Sequence, residues 1–184
     1  MKLEKILSEH INKSKPKYTR ELGRYWATDI NSIKKGYLTP DNFFVSKDIN
    51  IDGVRMILTG MAYEDMLTKI FKEGGVDCSP QEKKVMKITE EIDLVVKPDY
   101  VFPDFVVETK YPFSVMKPNS IPDRYKYQLE CEYRAFERPV YLGTFSAPFN
   151  VTFTLYHPSK NIWKNIQKTL VDFHEQLKKK QNEI

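Results

Sequence analysis

Cysteine is scarce in this chain of 184 residues, and so are histidine and long apolar runs. The two cysteines, Cys78 and Cys131, lie far apart and form no CxxC pair, which argues against a disulfide framework and a cysteine-held zinc or iron–sulfur site. The three histidines have no mutual spacing typical of a metal or nucleophilic site. No stretch approaches membrane-spanning length, and the N-terminus lacks the apolar run of a signal peptide. We therefore expect an intracellular, cytoplasmic protein with no membrane partner.

What the chain does contain is enough apolar surface for a core and a mild excess of positive charge. Hydrophobic residues make up 41% of the sequence, aromatic residues 13%, and the formal net charge is +4. We expect a single domain over 1–184, with a helical N-terminal layer over 1–50 and the main core over 51–184. The positive charge permits a polyanionic partner such as a nucleic acid without requiring one.

Hydrophobic periodicity predicts a mixture of helices and strands. Helices are predicted over 20–35, 52–72, 124–137 and 159–180, with a further amphipathic segment at Leu3, Ile6, Leu7 and Ile11. Strands are predicted over 85–96, 104–110, 140–145 and 151–156. The first two strands should form a hairpin with its turn centred near Tyr100 and Val101. This order favours an α/β domain with a mixed sheet of four or five strands flanked by helices.

Charged residues stand inside the second strand of the expected hairpin. Glu108 and Lys110 are two residues apart and therefore point to the same face of a strand. A turn near residue 100 would place Asp93 opposite Glu108. Two buried neighbouring carboxylates repel one another, and a divalent cation relieves that repulsion. The pattern predicts a magnesium site, with Lys110 beside a metal-bound water or a phosphate.

These residues resemble short signatures of the PD-(D/E)xK nuclease superfamily, particularly its RecB-like branch, which includes the CRISPR-associated exonucleases. The strand aspartate of that branch is matched by Asp93 within Glu91-Ile92-Asp93-Leu94. Its acid-x-lysine triplet is matched by Glu108-Thr109-Lys110. Its helical glycine, followed four residues later by a histidine, is matched by Gly60 with Glu64 in place of the histidine. Glutamate is an oxygen ligand, so this change favours magnesium or manganese.

The fourth signature, a glutamine followed four residues later by a tyrosine, is matched by Gln128 alone. Tyr133 comes one residue late, and Glu132 shares the helical face of Gln128 instead. The four cysteines that hold a cluster in many CRISPR-associated members are missing. The resemblance therefore points to a cluster-free relative and covers roughly 52–137 directly.

The resemblance implies a restriction-endonuclease-like fold and a Mg²⁺- or Mn²⁺-dependent deoxyribonuclease. The catalytic residues it implies are Asp93, Glu108, Lys110 and Gln128, and the metal ligands are Glu64, Asp93, Glu108 and the Thr109 carbonyl. Lys110 would position the attacking water, and Gln128 would orient that water or the substrate. The expected activity is hydrolysis of phosphodiester bonds in single- or double-stranded DNA, as an exonuclease in repair, recombination or replication.

Several alternatives remain open at the level of sequence. Asp99 and Asp104 compete with Asp93, since each follows a proline as in the superfamily's name. We expect Asp99 in the turn, and Asp104 about 13 Å from Glu108 along the strand, too far to share one ion. A second hypothesis is a non-catalytic nucleic-acid-binding or assembly module on the same fold, and a third is an unrelated α/β domain with surface charges. The sequence does not determine the oligomeric state.

Overall fold

The computed structural model describes residues 5–6, 9–10, 13, 20–45, 51–112, 119–146 and 150–182. The helices with defined bounds are α1 (Asp29–Lys34), α2 (Ile51–Glu73), α3 (Asp123–Phe136) and α4 (Lys160–Asn182). The strands are β1 (Arg24–Trp26), β2 (Ser79–Pro80), β3 (Lys84–Lys87), β4 (Asp93–Val96), β5 (Tyr100–Val101), β6 (Val106–Lys110), β7 (Val140–Ser146) and β8 (Asn150–Leu155). Residues 5, 6, 9, 10 and 13 are also helical, whereas Leu3, Leu7 and Ile11 of the predicted N-terminal segment lie outside the described residues.

The strands form one five-stranded and one three-stranded sheet. The larger sheet has the order β2-β5-β6-β7-β8, in which β6 and β7 run parallel and the other neighbours run antiparallel. The smaller sheet has the order β1-β4-β3, with β1 parallel and β3 antiparallel to β4. The predicted α/β class with a mixed sheet flanked by helices is confirmed. The assignment of 1–184 to one domain stays a prediction.

Two apolar clusters lie on opposite sides of β6. Val106 belongs to the main core, which also contains Leu129 of α3 and Leu170 of α4. Val107 belongs to a smaller cluster that includes Leu67 of α2. Because successive strand residues face opposite sides, Glu108 and Lys110 share the face of Val106 and are directed toward α3. The alternation of side chains along β6 therefore places Glu108 and Lys110 on the side of α3.

The prediction of a helix over 20–35 is wrong in its first half, where β1 pairs with β4. Gly23 has a φ of 82°, and its carbonyl oxygen accepts a hydrogen bond from the Asp93 N–H at 2.7 Å. A Cβ at Gly23 would lie 2.4 Å from the Glu91 carbonyl oxygen, so glycine is required at this close approach. The helix begins only at Asp29, whose carboxylate accepts hydrogen bonds from the Trp26 N–H and the Arg20 guanidinium. The first 50 residues are thus not a purely helical layer.

The predicted hairpin between 85–96 and 104–110 is also wrong, because two tight turns divide this region differently. The Ile88 N–H donates to the Ile92 carbonyl at 2.9 Å, so the stretch over 85–96 folds back on itself as β3 and β4. A second turn follows Phe102, whose N–H donates to the Phe105 carbonyl at 2.8 Å. Tyr100 and Val101, the expected turn centre, are strand β5. The register of every acid in this region changes as a result.

The later elements lie close to their predicted bounds. Helices α2, α3 and α4 each begin and end within two residues of the predictions, and β7 and β8 do so as well. None of the described helices combines the length and the apolar character needed to cross a membrane.

Candidate active site

The pairing of β5 with β6 brings Asp99 beside Glu108. Tyr100 is opposite Val107 in an antiparallel register, so the next residues outward, Asp99 and Glu108, are opposite one another. Asp99 Oδ2 accepts two hydrogen bonds from Thr109, at 2.7 Å from the backbone N–H and at 2.5 Å from the side-chain hydroxyl. The carboxylate of Asp99 is thus fixed against the end of β6 that carries Glu108 and Lys110.

Glu108 and Lys110 form a buried ion pair. The Glu108 side chain is 3% exposed and that of Lys110 is 26% exposed, and the Lys110 ammonium donates to Glu108 Oε1. Burial alone would lower the pKa of Lys110, but the negative charges of Glu108 and Asp99 outweigh it and raise that pKa. Lys110 is therefore held as an ammonium and acts as a positive charge and hydrogen-bond donor.

Several acidic side chains surround Glu108 closely enough to sense its charge. Burial, and then the negative charge of Glu108, raise the pKa of Asp99 to about 7. The same two causes raise the pKa of Glu64 on α2. They also raise the pKa of Glu132 on α3 well above its usual range. Three carboxyl groups from three elements thus converge on a fourth, and such a cluster favours a cation or bound protons.

Glu64 lies near this cluster because hydrogen bonds hold α2 against β5. The Tyr100 hydroxyl donates to the Glu64 backbone carbonyl at 2.8 Å. The Glu64 carboxylate accepts a hydrogen bond from Gln81 Nε2 at 3.2 Å. Gln81 has a φ of 53°, an uncommon value outside glycine, and its backbone N–H donates to the Asp99 carbonyl at 2.9 Å. Gln81 thus links the backbone of Asp99 to the side chain of Glu64.

An aromatic contact also holds α2 in this position. The ring of Tyr63, next to Glu64 in α2, stacks on the ring of Tyr111 with centroids 4.6 Å apart. Tyr111 directly follows Lys110, and its hydroxyl donates to Thr109 Oγ1 at 3.2 Å. Helix α2 and the end of β6 are therefore held together next to the charged residues.

Helix α3 contributes Gln128 and Glu132, one turn apart, from the other side. Gln128 Nε2 donates to Glu132 Oε1 at 3.0 Å. Glu132 is fully buried, whereas Gln128 is partly exposed. The tyrosine considered for this signature, Tyr133, instead packs against the main core. The glutamine predicted from the sequence is thus present at the charged cluster, and a glutamate accompanies it.

A cavity of about 150 Å³ opens beside Lys110. It lies between the start of α1, the end of β6 and the first turns of α3, and its lining comprises Ala27, Thr28, Asn31, Lys110, Arg124, Tyr125 and Gln128. The lining has two positive charges and several amide or hydroxyl groups and no carboxylate. The Arg124 guanidinium lies over the Tyr125 ring, 4.7 Å from its centroid. A cavity of this chemistry suits an anion such as a phosphate.

Asp93 lies elsewhere, and the predicted register that placed it opposite Glu108 is wrong. Its strand, β4, belongs to the smaller sheet, where Asp93 pairs with Lys87 of β3 and Arg24 of β1. Asp93 Oδ1 forms an ion pair with Lys87 Nζ at 2.9 Å. In the larger sheet, Glu108 is flanked by Asp99 on one side and pairs with Leu142 on the other. Asp93 thus lies on a different sheet from Glu108, beside Lys87.

The remaining predicted ligands are compatible with a divalent cation. Glu108 Oε2 is buried and has no hydrogen-bond partner. A strand residue directs its N–H and C=O to the same edge, so the Thr109 carbonyl faces the Asp99 side as its N–H does. In the described part of the chain, no three His, Cys, Asp or Glu side chains form a complete ligand set by themselves. Magnesium commonly takes only one or two carboxylates and completes its shell with water and phosphate oxygens, which fits this arrangement.

From the sequence, Asp99 was considered but placed in the turn, and neither Gln81 nor Glu132 was among the predicted site residues. Asp99 carried a usable signal, since Pro98-Asp99 precedes Glu108-Thr109-Lys110 in the order of the superfamily's name. Glu132 was marked by its position one helical turn after Gln128. Gln81 had no such signal, because its contact with Glu64 depends on the packing of α2 over β5.

Comparison with known proteins shows which solved structures share this fold. No family model matches the chain, and no curated protein matches its sequence. The crystal structure of SSO0001 matches with a TM-score of 0.70 at 13% identity, covering 96% of this chain and 87% of that one. An alkaline exonuclease, LHK-Exo, from Laribacter hongkongensis matches with a TM-score of 0.64 at 11% identity, covering 94% and 93%. The structure of LHK-Exo in complex with dAMP matches with a TM-score of 0.62 at 11% identity, covering 86% and 90%. The chain therefore has the fold of these proteins.

Proposed function

We propose that this protein is a metal-dependent deoxyribonuclease of the PD-(D/E)xK type. The observation that carries the proposal is the juxtaposition of Asp99, Glu108 and Lys110 at the adjoining ends of β5 and β6. Pro98-Asp99 and Glu108-Thr109-Lys110 then supply the superfamily signature in order, with Asp99 immediately before β5 and Glu108 on the neighbouring strand β6. The fold shared with LHK-Exo supports the same proposal.

The proposed metal ligands are Asp99, Glu108, the Thr109 carbonyl and Glu64. Asp99 takes the role that the sequence alone gave to Asp93. These are oxygen donors without sulfur or imidazole, a set suited to Mg²⁺ or Mn²⁺. When bound, such a cation would supply Lewis acidity at the scissile phosphate and lower the pKa of a coordinated water.

Lys110 and Gln128 are proposed to act on the water and the substrate. Lys110 keeps its proton beside Glu108, so it donates hydrogen bonds to the attacking water and places positive charge near the phosphate. Gln128 lines the same cavity as Lys110 and can hold the water or a phosphate oxygen through its amide. Both residues contribute by orienting groups and stabilising charge, and no covalent nucleophile is involved.

DNA is the proposed substrate, and removal of nucleotides from an end is the proposed mode of action. The basic cavity beside Lys110, with Arg124 at its rim, is a place for a substrate phosphate. LHK-Exo is an exonuclease whose structure has been determined with dAMP, and this supports the proposed exonuclease activity. The RecB-like kind, and a place in repair, recombination or replication, are proposed from the resemblance of the sequence motifs. The alternative, a non-catalytic nucleic-acid-binding module, is an outcome of the test below.

The test is cleavage of end-labelled linear and closed circular DNA, single- and double-stranded, with Mg²⁺, Mn²⁺ or a chelator. The wild type should degrade linear DNA only when a metal is present, and the circular substrates should survive if it acts from ends. Glu108→Gln should remove cleavage while leaving DNA binding in place. DNA binding without any metal-dependent product from the wild type would overturn the proposal in favour of the non-catalytic module.

A further inference from the structure

Two buried carboxylates at the site each use only one of their two oxygens. Glu108 is 3% exposed, and its Oε1 accepts the hydrogen bond from Lys110. Glu132 is 0% exposed, and its Oε1 accepts the hydrogen bond from Gln128. The second oxygen of each group, Oε2, is buried and lacks a hydrogen-bond partner. Buried acceptors are seldom left without a partner, so these two require an explanation.

The two groups are also direct neighbours. Glu108 and Glu132 lie close enough to interact, since burial, and then the negative charge of Glu108, raise the pKa of Glu132. Neither group can donate as a carboxylate, and two adjacent buried carboxylates repel. A shared proton would relieve the repulsion by neutralising one group. A bound cation would relieve it while leaving both groups charged, and it would give both Oε2 atoms a partner.

Lys110 does not supply this partner, because its contact with Glu108 is through Oε1. Its ammonium therefore satisfies one oxygen of the Glu108 carboxylate and leaves the other without a partner. Gln128 acts similarly on Glu132, since its amide donates to Oε1 and leaves Oε2 without a partner. The strand β6 and the helix α3 thus each contribute one buried carboxylate oxygen that can accept a ligand.

We propose that Glu132 is an additional oxygen ligand of the divalent cation held by Glu108. This inference rests on the proposed function and adds to it a ligand from α3 that the acid-x-lysine strand does not provide. Glu132 would join Asp99, Glu108 and Glu64 in a site made only of oxygen donors, the ligand type that Mg²⁺ and Mn²⁺ prefer. The geometry gives Gln128 a corresponding role as the residue that positions Glu132.

The test is the affinity for Mn²⁺ alone, without DNA, measured by calorimetry and by electron paramagnetic resonance on the full chain. Glu132→Gln is the informative variant because it keeps the volume of the side chain, can still accept from Gln128, and can donate to Glu108 as a protonated Glu132 would. We expect it to bind Mn²⁺ about 10- to 100-fold more weakly than the wild type, a loss typical of disrupted metal sites. Glu175→Gln, which removes an exposed acid from α4, is the charge-matched control and should bind as the wild type does.

Two comparisons separate this inference from the proposed function. If Glu132→Gln binds Mn²⁺ as tightly as the wild type while Glu108→Gln does not, Glu132 only shares a proton and the inference is overturned, whereas the proposed function stands. If Glu108→Gln also binds normally, or the wild type binds no Mn²⁺, both are overturned. Circular dichroism in chelator checks folding. Should Glu132→Gln fail to fold, Glu132→Asp replaces it: this shorter carboxylate should also bind more weakly, and unchanged binding would overturn the inference.

Discussion

Glu130 and Glu132 are two residues apart on α3, and both are fully buried, yet their surroundings differ completely. Glu130 is saturated with donors: the Arg134 guanidinium at 2.8 and 2.9 Å, the Tyr156 hydroxyl at 2.7 Å and the Ser159 N–H at 2.7 Å. Glu132 has one donor, Gln128, and an oxygen without a partner. Glu130 holds α3 against the start of α4. Glu132 keeps one acceptor oxygen that the proposed cation would use.

This contrast separates structural from functional charge within a single helix. A buried carboxylate whose acceptors are all occupied is stabilised by its protein partners and gains nothing from a ligand. A buried carboxylate oxygen without a partner lowers the free energy of unfolding, and a ligand that binds to this oxygen offsets the loss. Burial alone therefore does not distinguish Glu132 from Glu130; the completeness of their hydrogen bonding does.

The largest effect on activity is expected for Lys110. Lys110→Met keeps the length of the side chain but removes the donor and the positive charge beside Glu108, so cleavage should fall about 1000-fold, or ~4 kcal/mol in transition-state stabilisation. The rate of DNA cleavage at saturating Mg²⁺ measures this. Lys178→Met, which removes a lysine paired with Glu91 on the far end of α4, is the control. Cleavage by Lys110→Met at the control rate would contradict the assignment.

The next largest effect concerns stability and distinguishes the two glutamates directly. Glu130→Gln places an amide donor among groups that already donate, so the free energy of unfolding should fall by about 3 kcal/mol. Glu132→Gln should change it by less than about 1 kcal/mol in chelator, because the amide can accept from Gln128 and donate to Glu108. Urea denaturation measures both values. An equal loss of unfolding free energy in the two variants would show that Glu130 and Glu132 contribute alike to stability.

Activity should show the reverse order for this pair. Glu130→Gln touches no residue of the proposed site, so its cleavage rate per folded molecule at low temperature should equal that of the wild type. Glu132→Gln should cleave more slowly at limiting Mg²⁺. If folded Glu130→Gln cleaved DNA more slowly than the wild type, the contacts that hold α3 against α4 would themselves control the activity.

The pH dependence of stability should report the crowding of acids at the site. The pKa of Asp99 is raised to about 7 in the folded chain from an ordinary 3.8, so the folded state retains a proton that the unfolded chain releases. In chelator, the contribution of Asp99 to stability should be full below about pH 4, fall between about pH 4 and 7, and then level off. Its slope is at most ~1.4 kcal/mol per pH unit. The stability of the wild type relative to Asp99→Asn, measured by urea denaturation, should therefore fall over this interval, and a constant difference would contradict the raised pKa.

The smallest effect is expected at the rim of the basic cavity. Arg124→Gln removes a charge proposed to contact a substrate phosphate, so KM for DNA should rise about fivefold with kcat little changed, and the salt dependence of binding should weaken. Lys126→Gln is a matched control on the same helix, since Lys126 does not line this cavity. Equal effects of the two substitutions would indicate general charge attraction without a defined phosphate position.

Local patterns predicted much of the fold and part of the site. The periodicities that predicted α2, α3 and α4 reflect which faces are buried, and burial in these helices follows the sequence directly. The alternation in β6 likewise predicted that Glu108 and Lys110 share a face. Such features depend on residues close in the chain, and the structure retains them.

Strand pairing could not be predicted in the same way. Whether Asp93 or Asp99 lies opposite Glu108 depends on two turns, at 88–92 and after Phe102. The first was hidden in a run that reads as a continuous strand, and the second lies after the predicted turn centre at Tyr100 and Val101. A shift of turn position changes every cross-strand neighbour, although the composition of the strands is unchanged. The parallel pairing of β6 with β7 joins residues more than 30 positions apart, which no local pattern specifies.

The most direct test of the account is a comparison of Asp99→Asn with Asp93→Asn. The two substitutions are chemically identical, and Asp93 begins β4 while Asp99 directly precedes β5, but only Asp99 lies beside Glu108 and Thr109. Metal-dependent cleavage of linear DNA and Mn²⁺ affinity should both be measured for each variant. The account predicts that Asp99→Asn loses cleavage and binds Mn²⁺ weakly, whereas Asp93→Asn retains both. Loss of cleavage in Asp93→Asn with full activity in Asp99→Asn would contradict it.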